Sequence, residues 1–317
     1  MARYKALLFI LCLLLVKPGR AQTDGQIIVQ KKITGLDQYM TYIVETEERH
    51  KDSLNFDPNR FEHFKEVEIF GITYYSDGLK VRGFLLKPGK PGKYPAVIYN
   101  RGGSLDFGSL TSHHASIGLG ELARLARAGY VVVASQYRGN GGSEGQEEYG
   151  GADINDVLNL IPLLAAVPEA DTSRLGMFGW SRGGMTSFLT LKRTNKIKAL
   201  AVGGPSTDIT RSSIDRPELL KWWQTFIPGI MENEYEVLKK RSAIHWVDEL
   251  PTDVPMLILQ GTADTSVKAR YTLEFALKLD QHKIPYRLVM YEDGVHSLKG
   301  HRDEVFDQII RWYKKYL

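Results

Sequence analysis

The stretch RLGMFGWSRGGMTSF, Arg174–Phe188, decides the fold. It opens as a flat apolar run, breaks at Gly179-Trp180-Ser181-Arg182-Gly183-Gly184, and resumes with apolar residues at helical spacing. A small hydroxyl set between glycines, where a strand ends and a helix begins, marks a sharp turn. Glycine lets the backbone pass there without Cβ clashes. The pattern is G-x-S-x-G, in which the serine sits on a strand-to-helix elbow with its Oγ exposed at the carboxyl edge of a sheet. The helix behind it offers free N–H groups and the positive end of a dipole. The bare pattern also occurs as a plain Gly-rich turn. The strand before it and the helix after it make Ser181 a candidate nucleophile.

Working outward, strand and helix signals alternate from Pro95 onward. PAVIYN, YVVVASQY, RLGMFGW, KALAVGG, PMLILQG and YRLVMY are short apolar runs rich in β-branched and aromatic residues. Between them lie GELARLARAG, DINDVLNLIPLLAAV, RGGMTSFLTLKR and KARYTLEFALKLDQHK, and HRDEVFDQIIRWYKKYL closes the chain. Continuous apolar strands alternating with helices predict an α/β fold with a mostly parallel central sheet and helices on both faces. Upstream, two alternating runs meet at Ser76-Asp77-Gly78, a hairpin signal. Residues 206–247 are too long for one crossover and read as a small helical insertion at the mouth of the sheet. Its Trp222, Trp223 and Phe226 pin the insertion down or line a pocket, and packing is the better reading. Residues 22–64 read as an N-terminal helical and linker segment, a mobile start followed by a helix around LDQYMTYIVETEERHKDSL. Residues 65–317 then form the catalytic domain.

A serine hydroxyl needs a base held by a third group. Asp264 follows the run PMLILQG, 83 residues after Ser181, and His296 follows YRLVMY, 32 residues later. Both lie just past strand ends, so both can converge with Ser181 at one sheet edge in the order Ser, Asp, His. Asp293 is the rival acid, but three residues before His296 it better shapes the turn. Acyl transfer also needs donors for the oxyanion. One is the backbone N–H of Arg182. The other lies in the glycine-rich loop NRGGS after PAVIYN, Asn100 to Ser104.

Four segments together resemble the prolyl oligopeptidase family of serine peptidases: YRGNGGSEGQEEYGGADINDVLNLIPLL (137–164), DTSRLGMFGWSRGG (171–184), KKRSAIHWVDELPTDVPMLILQGTADTSV (239–267) and YEDGVHSL (291–298). The resemblance covers residues 67–317. It implies an α/β-hydrolase fold with Ser181 as nucleophile, Asp264 as acid and His296 as base, and no cofactor or metal. Two departures keep a carboxylic-ester hydrolase open beside the peptidase. Larger members carry an N-terminal β-propeller, for which residues 22–64 are too few. Many members have a tyrosine or histidine before the Gly-Gly of the oxyanion loop, where this chain has Arg101, so the resemblance implies a backbone N–H of Arg101 or Gly102 as the second oxyanion donor. A non-catalytic binding protein on the same scaffold is the reading from another class, and the complete Ser-Asp-His set argues against it.

The N-terminus has the three-part form of a secretory signal peptide: basic MARYK, apolar ALLFILCLLLV, then Gly19 and Ala21 at the small-residue positions of a cleavage site. Cleavage after Ala21 exports the chain to the periplasm or the medium. The apolar run of eleven residues is short of the ~20 needed to span a bilayer. Residues 1–21 hold four of the 41 basic residues and no acidic ones, leaving 37 Lys and Arg against 37 Asp and Glu. The near-zero balance removes the charge argument for nucleic acid. Cys12 is the only cysteine, so the mature chain makes no disulfide. His113-His114 has no metal-ligand spacing, and GNGGSEG lacks the Gly-Lys-Ser/Thr ending of a phosphate loop. The expected substrate is a peptide or a small ester. Oligomeric state is open.

Overall fold

A computed structural model of the protein describes residues 22–33, 66–111 and 115–317. The expected signal peptide, the LDQYMTYIVETEERHKDSL patch and His113-His114 lie outside the described residues.

Nine strands are described: β1 (Ile27–Ile33), β2 (Val67–Ser76), β3 (Leu79–Pro88), β4 (Tyr94–Asn100), β5 (Val131–Ser135), β6 (Ala170–Trp180), β7 (Ile197–Gly203), β8 (Met256–Gly261) and β9 (Tyr286–Tyr291). They form one sheet in the order β1-β2-β3-β5-β4-β6-β7-β8-β9. The first three strands and the β3–β5 pair are antiparallel, and every pair from β5 to β9 is parallel. β2 and β3 are joined at Asp77-Gly78, both with positive φ, as a two-residue hairpin requires. β1 differs from the mobile start that the sequence predicts: IIVQKKI pairs along β2 at the sheet edge. Its burial is mostly shallow, so its hydrophobic pattern carried little signal.

Alternation along each inner strand sorts side chains to two faces. Ala96 and Ile98, Val131 and Val133, Leu175 and Met177, Met256 and Ile258 join one core. Val97 and Tyr99, Val132 and Ala134, Phe178 and Trp180, Leu257 and Leu259 join the other. The first core is covered by α2 (Asp153–Leu158), α3 (Leu160–Ala165), α4 (Arg182–Leu191) and α8 (Ala269–Gln281). The second is covered by α1 (Leu119–Arg127) and α9 (Arg302–Tyr316). The pattern DINDVLNLIPLLAAV folds as two short helices meeting at Asn159. Pro162 lacks an N–H and crowds the carbonyl four residues earlier, which interrupts a continuous helix there.

From β4 the chain moves back to β5 across the α1 face. From β6 it moves forward to β7, β8 and β9 across the opposite face. Right-handed crossovers in opposite directions must use opposite faces. The connections therefore diverge between neighbours β4 and β6, and a crevice opens at their carboxyl ends, where such sheets bind ligands. Between β7 and β8 lie α5 (Ile209–Asp215), α6 (Pro217–Trp223) and α7 (Glu234–Lys239), which roof this edge.

Candidate active site

Ser181 ends β6 with φ 57° and ψ −121°, a conformation rare for a residue with a Cβ. The strain is held from three sides. The Ser181 N–H donates to Gly203 O at 2.8 Å, and Ser181 O accepts from Gly184 N at 2.9 Å and Ser206 N at 3.1 Å. The neighbouring glycines are steric necessities. A Cβ on Gly179 would lie 2.3 Å from Gly183 O, and one on Gly183 would lie 1.9 Å from Asn100 O. The elbow can turn so tightly, and pack against β4, only because both side chains are absent.

His296 and Asp264 arrive from the loops after β9 and β8. His296 Nδ1 lies 2.7 Å from Asp264 Oδ2. The Asp264 carboxylate is itself fixed: Oδ1 accepts from the Ser266 and Val267 N–H groups, both at 2.8 Å, and Oδ2 accepts from Gln260 Nε2 at 3.2 Å. Its side chain is 1% exposed and that of His296 is 19% exposed, so the imidazole alone meets solvent. A Cβ on Gly204 would lie 3.1 Å from the imidazole and 3.2 Å from Asp264, so the β7 end packs tightly beneath the pair. Asp293, the rival acid, is exposed on the turn at φ 51° and donates its N–H to Thr262.

Ser181 and His296 face one cavity of about 270 Å³. Gly102, Gly103 and Ser104 form one wall; Ile209, Leu219, Trp222 and Trp223 of the roof form another. Trp223 is buried while Trp222 is half-buried, so the roof aromatics both pack and line the cavity. A Cβ on Gly102 would sit 3.2 Å from Ser181 Cβ, which shows how closely this loop passes the hydroxyl. Arg101 has turned its side chain into the protein, where the guanidinium donates to Gln136, Gly102 and Leu105 carbonyls and lies over the Tyr137 ring.

Arg182, next after Ser181, has a side chain that the sequence reading did not use. It is 1% exposed and pairs at 2.7 Å with both Glu147 and Asp153, whose side chains are fully buried. It stacks between Tyr137 and Tyr149 and donates to Gly103 O at 3.0 Å. Burial opposes its charge, but the two carboxylates outweigh burial and hold its pKa above the ordinary arginine value. Asp153 also accepts from the Gly150 and Gly151 N–H groups. Glu147 Oε2 accepts from Leu105 N and Asn140 Nδ2. The serine elbow and the glycine loop facing it are thus tied through one buried ionic cluster. The sequence signal was the acidic and aromatic density of EGQEEYGGAD, but nothing in its spacing pointed at position 182. Among the described residues no group of three or more His, Cys, Asp or Glu side chains is placed to hold a metal ion.

This geometry suits acyl transfer. Ser181 and His296 line one cavity with Gly102 and Arg182, and the buried Asp264 carboxylate holds the imidazole at 2.7 Å.

Known proteins share this arrangement of elements. The chain is 28% identical over 252 residues to the uncharacterized peptidase YtmA of Bacillus subtilis, covering 79% of this chain and 95% of that protein. It is 27% identical to the uncharacterized peptidase YuxL of the same organism, of which it spans 38%. The Pyrococcus horikoshii acylaminoacyl peptidase superposes with a TM-score of 0.68 at 20% identity, over 83% of this chain and 44% of that one. A puromycin-hydrolyzing peptidase of Mycobacterium tuberculosis gives 0.65 at 20% identity, over 78% and 39%. YtmA apart, these proteins are more than twice as long as the part this chain matches. The α/β-hydrolase fold is common to this chain and these structures. The model of the prolyl oligopeptidase family matches residues 117–317, from the start of α1 through the serine elbow to the last helix, and the chain belongs to that family of serine peptidases.

Proposed function

We propose that the protein cleaves peptide bonds through an acyl-enzyme on Ser181. His296 takes the hydroxyl proton as Oγ attacks the acyl carbonyl, then delivers it to the departing amine. Asp264 holds the imidazole tautomer and stabilises the imidazolium. The tetrahedral oxyanion is met by the N–H of Arg182 and by a backbone N–H of Arg101 or Gly102, in the loop whose Gly102 lines the cavity. Water then hydrolyses the ester, with His296 as base. The observation that carries this reading is the 2.7 Å His296–Asp264 contact at the cavity that also exposes Ser181.

The test is a pair of substrate panels, aminoacyl and peptidyl anilides against short-acyl aryl esters, with Ser181→Ala as control. Anilide turnover that vanishes in the variant supports the peptidase. Turnover of esters alone selects the ester hydrolase, because an alkoxide leaves without the protonation an amine requires. Export after cleavage at Ala21 belongs to the same proposal. N-terminal sequencing of protein recovered outside the cytoplasm is expected to begin at Gln22, and a retained Met1 would overturn it.

A further inference from the structure

Four ionisable side chains line the cavity at Ser181: Tyr149, Arg182, Arg216 and His296. Arg182 is committed to Glu147 and Asp153. None of the described lining residues is a carboxylate. Arg216 is different. It stands between α5 and α6, with its N–H bonded to Ser212 O at 3.0 Å and its O accepting from Leu219 N at 2.9 Å. Pro217 follows and fixes the next φ, so the backbone that carries the guanidinium is rigid. The head is steered by Ser266 O at 3.4 Å, two residues past Asp264. Among the described residues its ion pair is with Glu218 at 3.1 Å, whose side chain is 66% exposed. An exposed pair of that kind is weakly held and exchanges readily for a better-placed anion. Its charge also reaches the wall of the cavity: burial pushes the Tyr149 phenol up to about 12, and Arg216 is among the groups that oppose that rise.

We infer that Arg216 makes this cavity selective for substrates carrying a carboxylate close to the bond that Ser181 attacks, and averse to a basic side chain or a free α-ammonium there. A guanidinium offers a planar fork that a carboxylate matches with two hydrogen bonds. Ile209, Leu219 and Trp222 beside it cover the apolar stem of such a group and strengthen the pairing by excluding water. An ammonium entering the same space meets the Arg216 charge and finds no lining carboxylate. The carboxylate can come from an acidic side chain in the acyl half, or from the free terminus of a short leaving peptide.

This inference rests on the reading of Ser181 as nucleophile, and the experiment separates the two. On the acyl side, kcat/KM is compared for N-blocked glutamyl and glutaminyl anilides; on the leaving side, for N-blocked leucylglycine and its amide. In the wild-type protein one charged member exceeds its neutral match by about tenfold or more, as a charge-assisted hydrogen bond to arginine supplies, and the pair that shows it identifies the source. In Arg216→Gln that ratio falls to near one, and in Arg216→Lys part of it remains. Turnover with no charge preference, or a preference that Arg216→Gln leaves intact, overturns the inference and leaves the hydrolase standing. Binding of N-acetylglutamic α-amide against N-acetylglutamine α-amide, and of N-acetylglycine against its amide, to Ser181→Ala, read by calorimetry, needs no catalysis. Arg216-dependent selectivity there without any turnover overturns the hydrolase and keeps the carboxylate site; no selectivity and no turnover removes both.

Discussion

At the scale of the residue, the site is a strained serine held by absent side chains and by a buried ionic cluster. The G-x-S-x-G pattern was legible because local sterics alone demand glycine at 179 and 183. Gly183→Ala is accordingly expected to disrupt the elbow, since its Cβ has no room beside Asn100 O. Loss of soluble, cooperatively folding protein is the readout. Asp264→Asn keeps the shape but presents the wrong hydrogen-bond partner to His296, so kcat is expected to fall by about 10⁴ with little change in thermal stability. The Arg182 cluster was not legible. Its partners lie 35 and 29 residues upstream, at Glu147 and Asp153, and meet it only after β6 has been laid beside β4. Arg182→Met leaves two buried carboxylates unpaired and is expected to cost about 3–5 kcal/mol, measured by denaturant unfolding. Arg182→Lys does not restore it, because one ammonium cannot reproduce a fork held at 2.7 Å to two carboxylates. Stability equal to wild type in the methionine variant would show that the cluster is incidental.

At the scale of the element, the strands from β4 to β9 followed from apolar runs, and their helices from periodicity. The roof followed only in outline. Residues 206–247 promised helices, but three short ones that pack over Tyr149 and Met185 and onto the α8 side could not be arranged from spacing. One fastening is Asp215 at the end of α5, which takes Lys268 at 2.8 Å, Arg270 at 2.9 Å and the Tyr271 hydroxyl from the start of α8. The hydrogen bond from Lys268, then that from Tyr271, lower the Asp215 pKa to about 2. The folded value lies below the ordinary carboxylate value of about 3.9. Its contribution is therefore full above pH ~4 and is lost as pH falls toward 2. Protection of α5 amides, taken relative to their intrinsic exchange rates, is expected to fall across that window ahead of the strands, and Asp215→Asn to show the weaker protection already at neutral pH. Protection of α5 unchanged between pH ~4 and ~2 would mean that Asp215 fastens nothing.

At the scale of the whole molecule, the sheet is a two-faced slab whose last cover is α9. Val305, Phe306, Ile309 and Tyr313 are fully buried there, Trp312 nearly so, and the Tyr313 hydroxyl donates to Met177 O at 2.6 Å. At about 1.5–3 kcal/mol per buried side chain, those five side chains rival the whole stability of a domain, about 5–15 kcal/mol. Truncation after His301 is expected to abolish the cooperative thermal transition by circular dichroism; a truncated chain that still melts cooperatively would show that the sheet face tolerates exposure. The sequence by itself determined the fold class, the serine elbow, and the placing of Asp264 and His296 after successive strands, because alternation, turn sterics and the order of strand ends are local or one-dimensional properties. Only the tertiary structure decided that β1 completes the sheet edge, that Arg182 is buried between Tyr137 and Tyr149, and that Arg216 reaches the cavity beside Ser181. Those contacts join segments far apart in the chain, and their geometry is set by which strands the crossovers make neighbours.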